Sequence, residues 1–216
     1  EQDKEDLGAF KVRNVRGDGN CLFRALLPPS DENVLGPQIS NLRKAAKLYL
    51  QSMDSYYLKM MTREMIQTVE KELDQDRAWN GTVTTDVIAG LFNISIVVID
   101  ASTTVKIDGR RMQHNKGLQP VTYIVFRNEH YYAIDRLNDD GDFEPTAVQL
   151  PTTETIYDGT YSQESQEALN LFLTRDSESE DVFSVVQPQT KTYVLKKEDL
   201  ESDDDKAKPD SSEDVS

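Results

Sequence analysis

Apolar and polar residues alternate through Ala9-Phe10-Lys11-Val12-Arg13-Asn14-Val15, a period of two that predicts a half-buried strand. The segment Gly17-Asp18-Gly19-Asn20 predicts a turn, because glycine takes positive φ freely and Asn20 is suited to cap a helix. About two helical turns follow over 21–27 and are stopped by Pro28-Pro29, so Cys21 falls in the first turn of a helix. Ile39, Leu42, Ala45, Ala46, Leu48, Tyr49 and Met53 recur at three and four residues, which predicts an amphipathic helix over 37–53 with Pro37 at its start. A second helix is expected over about 55–73, through Leu58, Met61, Met65, Ile66, Val69 and Leu73. Trp79-Asn80-Gly81 breaks the pattern. Thr84 or Thr85 is then expected to cap a short helix to Phe92, with Asp86 in its first turn.

The β-branched run 94–99, bounded by Asn93 and Asp100, reads as a buried strand. Residues 105–107 and 110–112 flank Asp108-Gly109, a dipeptide that favours a type I′ hairpin. Two further apolar strands, 121–126 and 131–134, are separated by Arg127-Asn128-Glu129-His130, which places His130 where a turn meets a strand. Beyond Leu137 the composition shifts. Residues 138–161 are rich in Asp, Thr, Pro and Gly, 165–173 form one amphipathic helix, and 182–186 and 192–195 are candidate short strands. From Glu198 onward the chain is almost entirely Glu, Asp, Ser and Lys, too polar to bury a core, and is expected to be disordered. No internal repeat is evident.

Charge sharpens this division. Residues 1–137 hold 18 acidic and 18 basic side chains, so the formal net charge of −15 falls entirely in the last 79 of the 216 residues. Neither that tail nor the neutral remainder offers a basic surface for a nucleic-acid backbone, and no nucleic-acid partner is expected. The single Cys cannot close an intramolecular disulfide or supply a Cys-rich zinc site, so a reducing, cytoplasmic setting is expected. No stretch approaches the ~18 apolar residues of a membrane span, and the opening Glu-Gln-Asp-Lys-Glu-Asp is unlike a signal peptide. The absence of an initiating Met suits a processed product.

The Cys21 segment carries the most chemistry. A thiolate is the nucleophile, and a helix N-terminus favours it through unpaired N–H groups and positive dipole character. The preceding loop can also aim backbone N–H groups at one point, as an oxyanion hole requires. A general base is then needed, and the two His residues, His114 and His130, are the candidates. His130 is favoured because a strand end places a side chain reproducibly, whereas His114 lies in a polar loop. By residue type alone, Cys21 would read as a small buried hydrophobe and either His as a solvated surface group. Trp79 reads as a packing anchor, and Met53, Met60, Met61 and Met65 as helix core.

Gly17-Asp18-Gly19-Asn20-Cys21-Leu22-Phe23-Arg24-Ala25 resembles, residue for residue, the nucleophile signature of the ovarian tumour (OTU) family of cysteine proteases, most of whose active members are deubiquitinases. Trp79-Asn80-Gly81 with Asp86, and Glu129-His130-Tyr131-Tyr132-Ala133-Ile134, resemble the family's later segments in order and distance. The resemblance implies an α/β fold with a small central mixed sheet flanked by helices. It covers roughly residues 10–137, which become the expected catalytic domain, and says nothing about 138–216; composition alone makes 1–9 a charged leader, 138–197 a partly ordered C-terminal extension and 198–216 an acidic disordered tail. By position the resemblance makes Cys21 the nucleophile, His130 the base, and the turn of Asp18, Gly19 and Asn20 the oxyanion site, with Asp18 holding the loop through side-chain hydrogen bonds. Many relatives place Asp or Asn two residues after the catalytic His, where this chain has Tyr132. Asn14 is the preferred substitute for orienting the imidazole, ahead of Asn128 and Asp135.

The activity implied is that of a cysteine-dependent isopeptidase without cofactor or metal, cutting after the C-terminal glycine of ubiquitin or a ubiquitin-like modifier. A narrow approach past the Gly-Asp-Gly-Asn turn favours a Gly-Gly terminus. The expected partner is the modifier with its conjugates, met by a monomer in the cytoplasm, the host's if the source is viral or bacterial, without a membrane. Two alternatives stand beside this: an inactive relative that holds ubiquitin without cutting it, and a viral-type protease that processes its own polyprotein.

Overall fold

The computed structural model describes residues 8–52, 61–78, 81–100, 104–108 and 120–173. Expectations for the leader 1–7, for Met53, Met60, Trp79, Asn80 and His114, for 110–112 and for everything after Leu173 lie outside the described residues. Within them the chain runs β1 (Phe10–Arg13), α1 (Cys21–Leu26), α2 (Glu32–Ser52), α3 (Arg63–Asp74), α4 (Thr82–Leu91), β2 (Ser95–Asp100), β3 (Thr104–Asp108), β4 (Val121–Arg127), β5 (His130–Leu137), β6 (Phe143–Pro145), α5 (Thr153–Ile156) and α6 (Gln163–Leu173). The strands form one mixed sheet in the order β1-β5-β4-β2-β3, with β6 added to β5. The β2–β4 pair is parallel and the other pairs are antiparallel.

Alternation along the strands sends side chains to two faces. Ile96, Ile124, Tyr131 and Ala133 join the main core with α1, α2, α3, α4 and α6. Val97, Ile99, Tyr123, Val125 and Ile134 form a smaller cluster on the opposite face, with Phe10, Val12 and Tyr132 against it. The β4–β5 connection is tighter than the four residues expected. Arg127 pairs directly with His130, leaving a two-residue turn in which Asn128 (φ 50°) and Glu129 (φ 57°) are both left-handed, the geometry of type I′. This turn fixes His130 as the first residue of β5.

Several helix boundaries differ from the periodicity. Helix α2 begins at Glu32 and runs through Pro37. The Asp31 carbonyl accepts from the amides of Val34 and Leu35, and Leu35 is buried in the core, so packing extends the helix upstream of its proline. Asn33, whose carbonyl has no N–H from Pro37 to meet, is exposed. Helix α3 starts only at Arg63, where the Thr62 hydroxyl accepts from the Met65 amide at 3.2 Å. Met65 is 42 % exposed and so is not the core residue expected of it. Helix α4 is capped by extended Gly81 and not by a threonine. Thr84 and Thr85 are buried one turn inside, with the Thr85 hydroxyl donating back to the Gly81 carbonyl, and Asp86 lies past the first turn.

Residues 138–173 belong to the same body as the preceding sheet. Strand β6 pairs Asp135, Arg136 and Leu137 of β5 on the edge that β1 leaves open. The Val148 amide donates to the Leu26 carbonyl at the end of α1. Helix α6 lies against α2, and its Ala168, Leu169 and Phe172, with Val148 and Ile156, complete the main core. Phe172 meets Phe92 edge-on, with ring centroids 5.8 Å apart. Phe172→Ala should therefore lower the unfolding free energy by about 3 kcal/mol, the scale of a buried aromatic deletion, as read from urea denaturation. A surface-like loss below about 0.5 kcal/mol would show that α6 is not part of the cooperative core.

Candidate active site

The Gly-Asp-Gly-Asn loop is held from inside the protein by two arginines. Arg43, on α2, is 3 % exposed. Its Nε and Nη2 donate to Asn20 Oδ1 at 3.0 and 2.7 Å, Nη1 donates to the Glu72 carbonyl at 2.7 Å, and Nη2 also reaches the carbonyls of Ala78 (3.0 Å) and Gly19 (3.4 Å). Its guanidinium carbon stands 4.5 Å over the Phe23 ring. The planar fork thus joins α2, α3, α1 and two loops, an arrangement that a lysine's single ammonium cannot copy. Burial lowers the Arg43 pKa, against the raising influence of Asp76, Asp18 and Glu72.

Asn20 stands at the N-cap position of α1, but its side chain does not cap the helix. It instead accepts from Arg43 and donates through Nδ2 to Asp76 at 3.1 Å. The expected capping role is displaced by this cross-link, which a buried guanidinium makes more favourable than a bond to a helix amide. Gly19 has φ +83°, and a Cβ there would lie 1.8 Å from the Arg77 carbonyl oxygen. Both its conformation and the close approach of the 75–78 segment exclude a side chain.

Asp18 accepts from the Asn20 amide at 3.1 Å and from Arg24 at Nε (3.3 Å) and Nη2 (2.8 Å). Arg24 in turn makes a two-point contact with Glu32, at 2.8 and 2.7 Å. Burial pushes the Asp18 carboxyl up, yet the bonds from Arg24 and the Asn20 amide, with the Arg24 charge, outweigh it and hold the group below the usual carboxylate range. The Arg24 bond likewise lowers Glu32, while Glu32 first and then Asp18 raise Arg24 against its own burial.

Cys21 opens α1 and is 4 % exposed within the main core. Helix α1 packs on β5. Burial raises the Tyr131 phenol, a bond with Thr85 opposes the rise, and the nearby Cys21 adds to it. His130, the residue before Tyr131, lies along the segment 15–17. Its Nε2 is 3.1 Å from the Val15 carbonyl oxygen, and a Cβ on Gly17 would sit 3.4 Å from its Cε1 and 3.5 Å from its Nδ1. The Tyr132 ring packs edge-on against the imidazole at 4.6 Å. No hydrogen bond links Cys21 to His130; such pairs often close to bonding distance only with substrate in place.

The structure thus brings Asp18, Gly19, Asn20 and Cys21 into one turn, with His130 beside the preceding Val15 and Gly17. Asn14 is exposed, and the atom facing His130 Nε2 belongs to Val15. Asp135 is engaged by Arg13 Nε at 3.1 Å, and Asn128 is exposed in the β4–β5 turn. Arg43 and the Val15 carbonyl did not emerge from sequence reasoning. A signal existed for Arg43, since it interrupts the apolar stripe of α2 between Leu42 and Ala45; a backbone acceptor leaves none. Among the described residues no group of three or more His, Cys, Asp or Glu side chains could hold a metal ion, and no helix is long and apolar enough to cross a membrane.

A cysteine-bearing turn at the start of a buried helix and an imidazole on an adjoining strand thus sit in a fold built on a mixed sheet flanked by helices. The OTU-like cysteine protease family matches residues 16–134, more than half of the chain, and the chain belongs to that family. Deubiquitinase OTUD6B of Xenopus laevis is 22 % identical over 143 residues, 60 % of this chain and 47 % of that protein, so the chain spans about half the length of this relative. Among solved structures, the viral OTU domain protease from Taggert virus is 15 % identical, covering 67 % of this chain and 87 % of that one with a TM-score of 0.47. The OTU domain of OTUD1 is 20 % identical over 58 % and 85 % (TM-score 0.42), and an OTU domain solved in complex with ubiquitin is 15 % identical over 76 % and 85 % (TM-score 0.45).

Two outcomes follow from the loop's supports. Arg24→Ala leaves the largely buried Asp18 carboxylate facing, among the described residues, only the exposed Arg16 at 3.9 Å and should cost about 3 kcal/mol at pH 7 in urea denaturation. Because the folded Asp18 pKa is lowered, that stability is full above the unfolded value near ~4 and is lost as pH falls through the folded one. The penalty of Arg24→Ala should therefore shrink on acidification below about pH 4; a penalty independent of pH would show that the charge pair is not its source. Gly19→Ala should cost at least about 2 kcal/mol, through left-handed strain and the overlap with Arg77, and a wild-type melting temperature would contradict the loop geometry.

Proposed function

We propose that this chain is a cysteine-dependent isopeptidase acting on ubiquitin or a ubiquitin-like modifier, with Cys21 as nucleophile and His130 as general base. The observation that carries the reading is the placement of His130 against the first residue of the loop that ends in Cys21. Family membership and a relative named as a deubiquitinase support the choice of substrate. In this reading the Cys21 proton passes to His130 as sulfur attacks the carbonyl of the modifier's terminal glycine. Negative charge then develops on that carbonyl oxygen. The Asn20 amide is committed to Asp18, whereas the Gly19 and Cys21 amides make no hydrogen bond among the described residues and are available to the oxyanion. The amine leaves with the His130 proton, and water activated by the same imidazole hydrolyses the thioester.

One observation favours the alternative of a module that holds ubiquitin without cutting it: the nucleophile is 4 % exposed. A ubiquitin probe bearing a C-terminal electrophile separates the two, since only an accessible, competent thiolate becomes covalently attached. Labelling of the native chain and none of Cys21→Ala is expected, with folding of the variant retained. Cleavage of a ubiquitin amide that Cys21→Ala leaves undiminished would remove the assignment. His130→Ala should lower kcat/KM by about a thousandfold, and a loss under about tenfold would pass the base role to His114.

A further inference from the structure

We infer that the group orienting the His130 imidazole is the main-chain carbonyl of Val15, making Val15 a positioning residue that no side chain replaces. The inference rests on the isopeptidase reading for its catalytic consequence, but not for its geometry. A carbonyl oxygen can only accept a hydrogen bond, so its 3.1 Å approach to Nε2 requires that nitrogen to carry the proton. In the neutral ring the lone pair then resides on Nδ1, the atom that lies over Gly17 at the head of the Cys21 loop. One contact accordingly selects the tautomer and points the basic nitrogen toward the loop. The Tyr132 ring, edge-on at 4.6 Å, limits rotation of the imidazole.

Two carboxylates, Asp18 and Asp135, are engaged by arginines, Arg24 and Arg13 respectively. Strand β1 ends at Arg13, and the chain beyond it passes beside the start of β5, which brings the Val15 carbonyl to the ring. A neutral carbonyl fixes the tautomer as a carboxylate would, but stabilises the imidazolium less. The geometry therefore gives an oriented base without a strong electrostatic partner.

Two measurements on the full chain test this. Long-range 1H–15N correlation spectra of histidine-labelled protein should report His130 protonated at Nε2 and bare at Nδ1, with His114→Gln separating the two histidines the sequence contains. The second replaces the amide between Val15 and Arg16 by an ester, which weakens the Val15 carbonyl as an acceptor while keeping every side chain. The Arg16 N–H lost in the exchange makes no hydrogen bond among the described residues. Because Cys21 is the sole cysteine, a synthetic 1–20 segment can be ligated there to the remainder, and the same route supplies an amide control. The ester should shift the tautomer balance and lower kcat on ubiquitin 7-amido-4-methylcoumarin by roughly three- to tenfold, with KM unchanged.

An Nδ1-protonated His130 in the amide protein, or an ester protein equal to its control in kcat and in tautomer balance, overturns the assignment. Failure of the isopeptidase reading shows differently, as absence of turnover by both proteins, and the tautomer response to the ester then decides alone. If the ester protein does not fold, the tautomer of the unmodified chain decides.

Discussion

A single buried guanidinium governs the geometry on which the site depends. Arg43 is withdrawn from water at a cost that only near-complete hydrogen bonding offsets. Its acceptors are one side-chain oxygen and three carbonyls drawn from α3, the 75–78 segment and the Gly-Asp-Gly-Asn loop. Asn20 is consequently gripped at three atoms, by Arg43 at Oδ1, by Asp76 at Nδ2 and by Asp18 at its amide. A loop held in this way cannot readily redirect its amides. That stiffness is what electrostatic stabilisation of a developing oxyanion requires, since donors that must reorganise contribute less.

Strand β5 is the second organising element. Its first residue is the imidazole, its second and fourth face the main core beside α1, and its last three pair with β6. The two-residue turn before it leaves little freedom in the position of His130, and the loop-side contacts at Val15 and Gly17 complete the restraint. His130 and Cys21 thus both stand on rigid elements, a strand start and a helix start, and not on two mobile loops.

Much of this was legible in the residues. Alternation located β1, the β-branched run located β2 within one residue, and the Gly-Asp-Gly-Asn-Cys order placed the thiol at a helix start. Helix starts were read less well, because Pro37, Thr84 and Thr85 carry local preferences that core packing at Leu35 and the extended Gly81 override. Asn20 was given a local role and has a long-range one; spacing along a chain cannot reveal that a guanidinium 23 positions away takes its oxygen. Tyr132, standing where relatives carry Asp or Asn, directed the search for a partner of His130 to the side chain of Asn14; a main-chain acceptor such as the Val15 carbonyl, 3.1 Å from Nε2, has no signature in residue types. Composition shifts at Leu137, while the pairing of β6 with β5 and the packing of α6 on α2 carry the fold on to Leu173, which polarity alone does not reveal.

That continuity past Leu137 has a practical corollary. The exposed turn over 139–142 is open to a protease, yet the strand and helix downstream of it remain zipped to β5 and packed on α2. A nick there would yield two bands on a denaturing gel from one particle in solution, with the fragments held as a non-covalent complex.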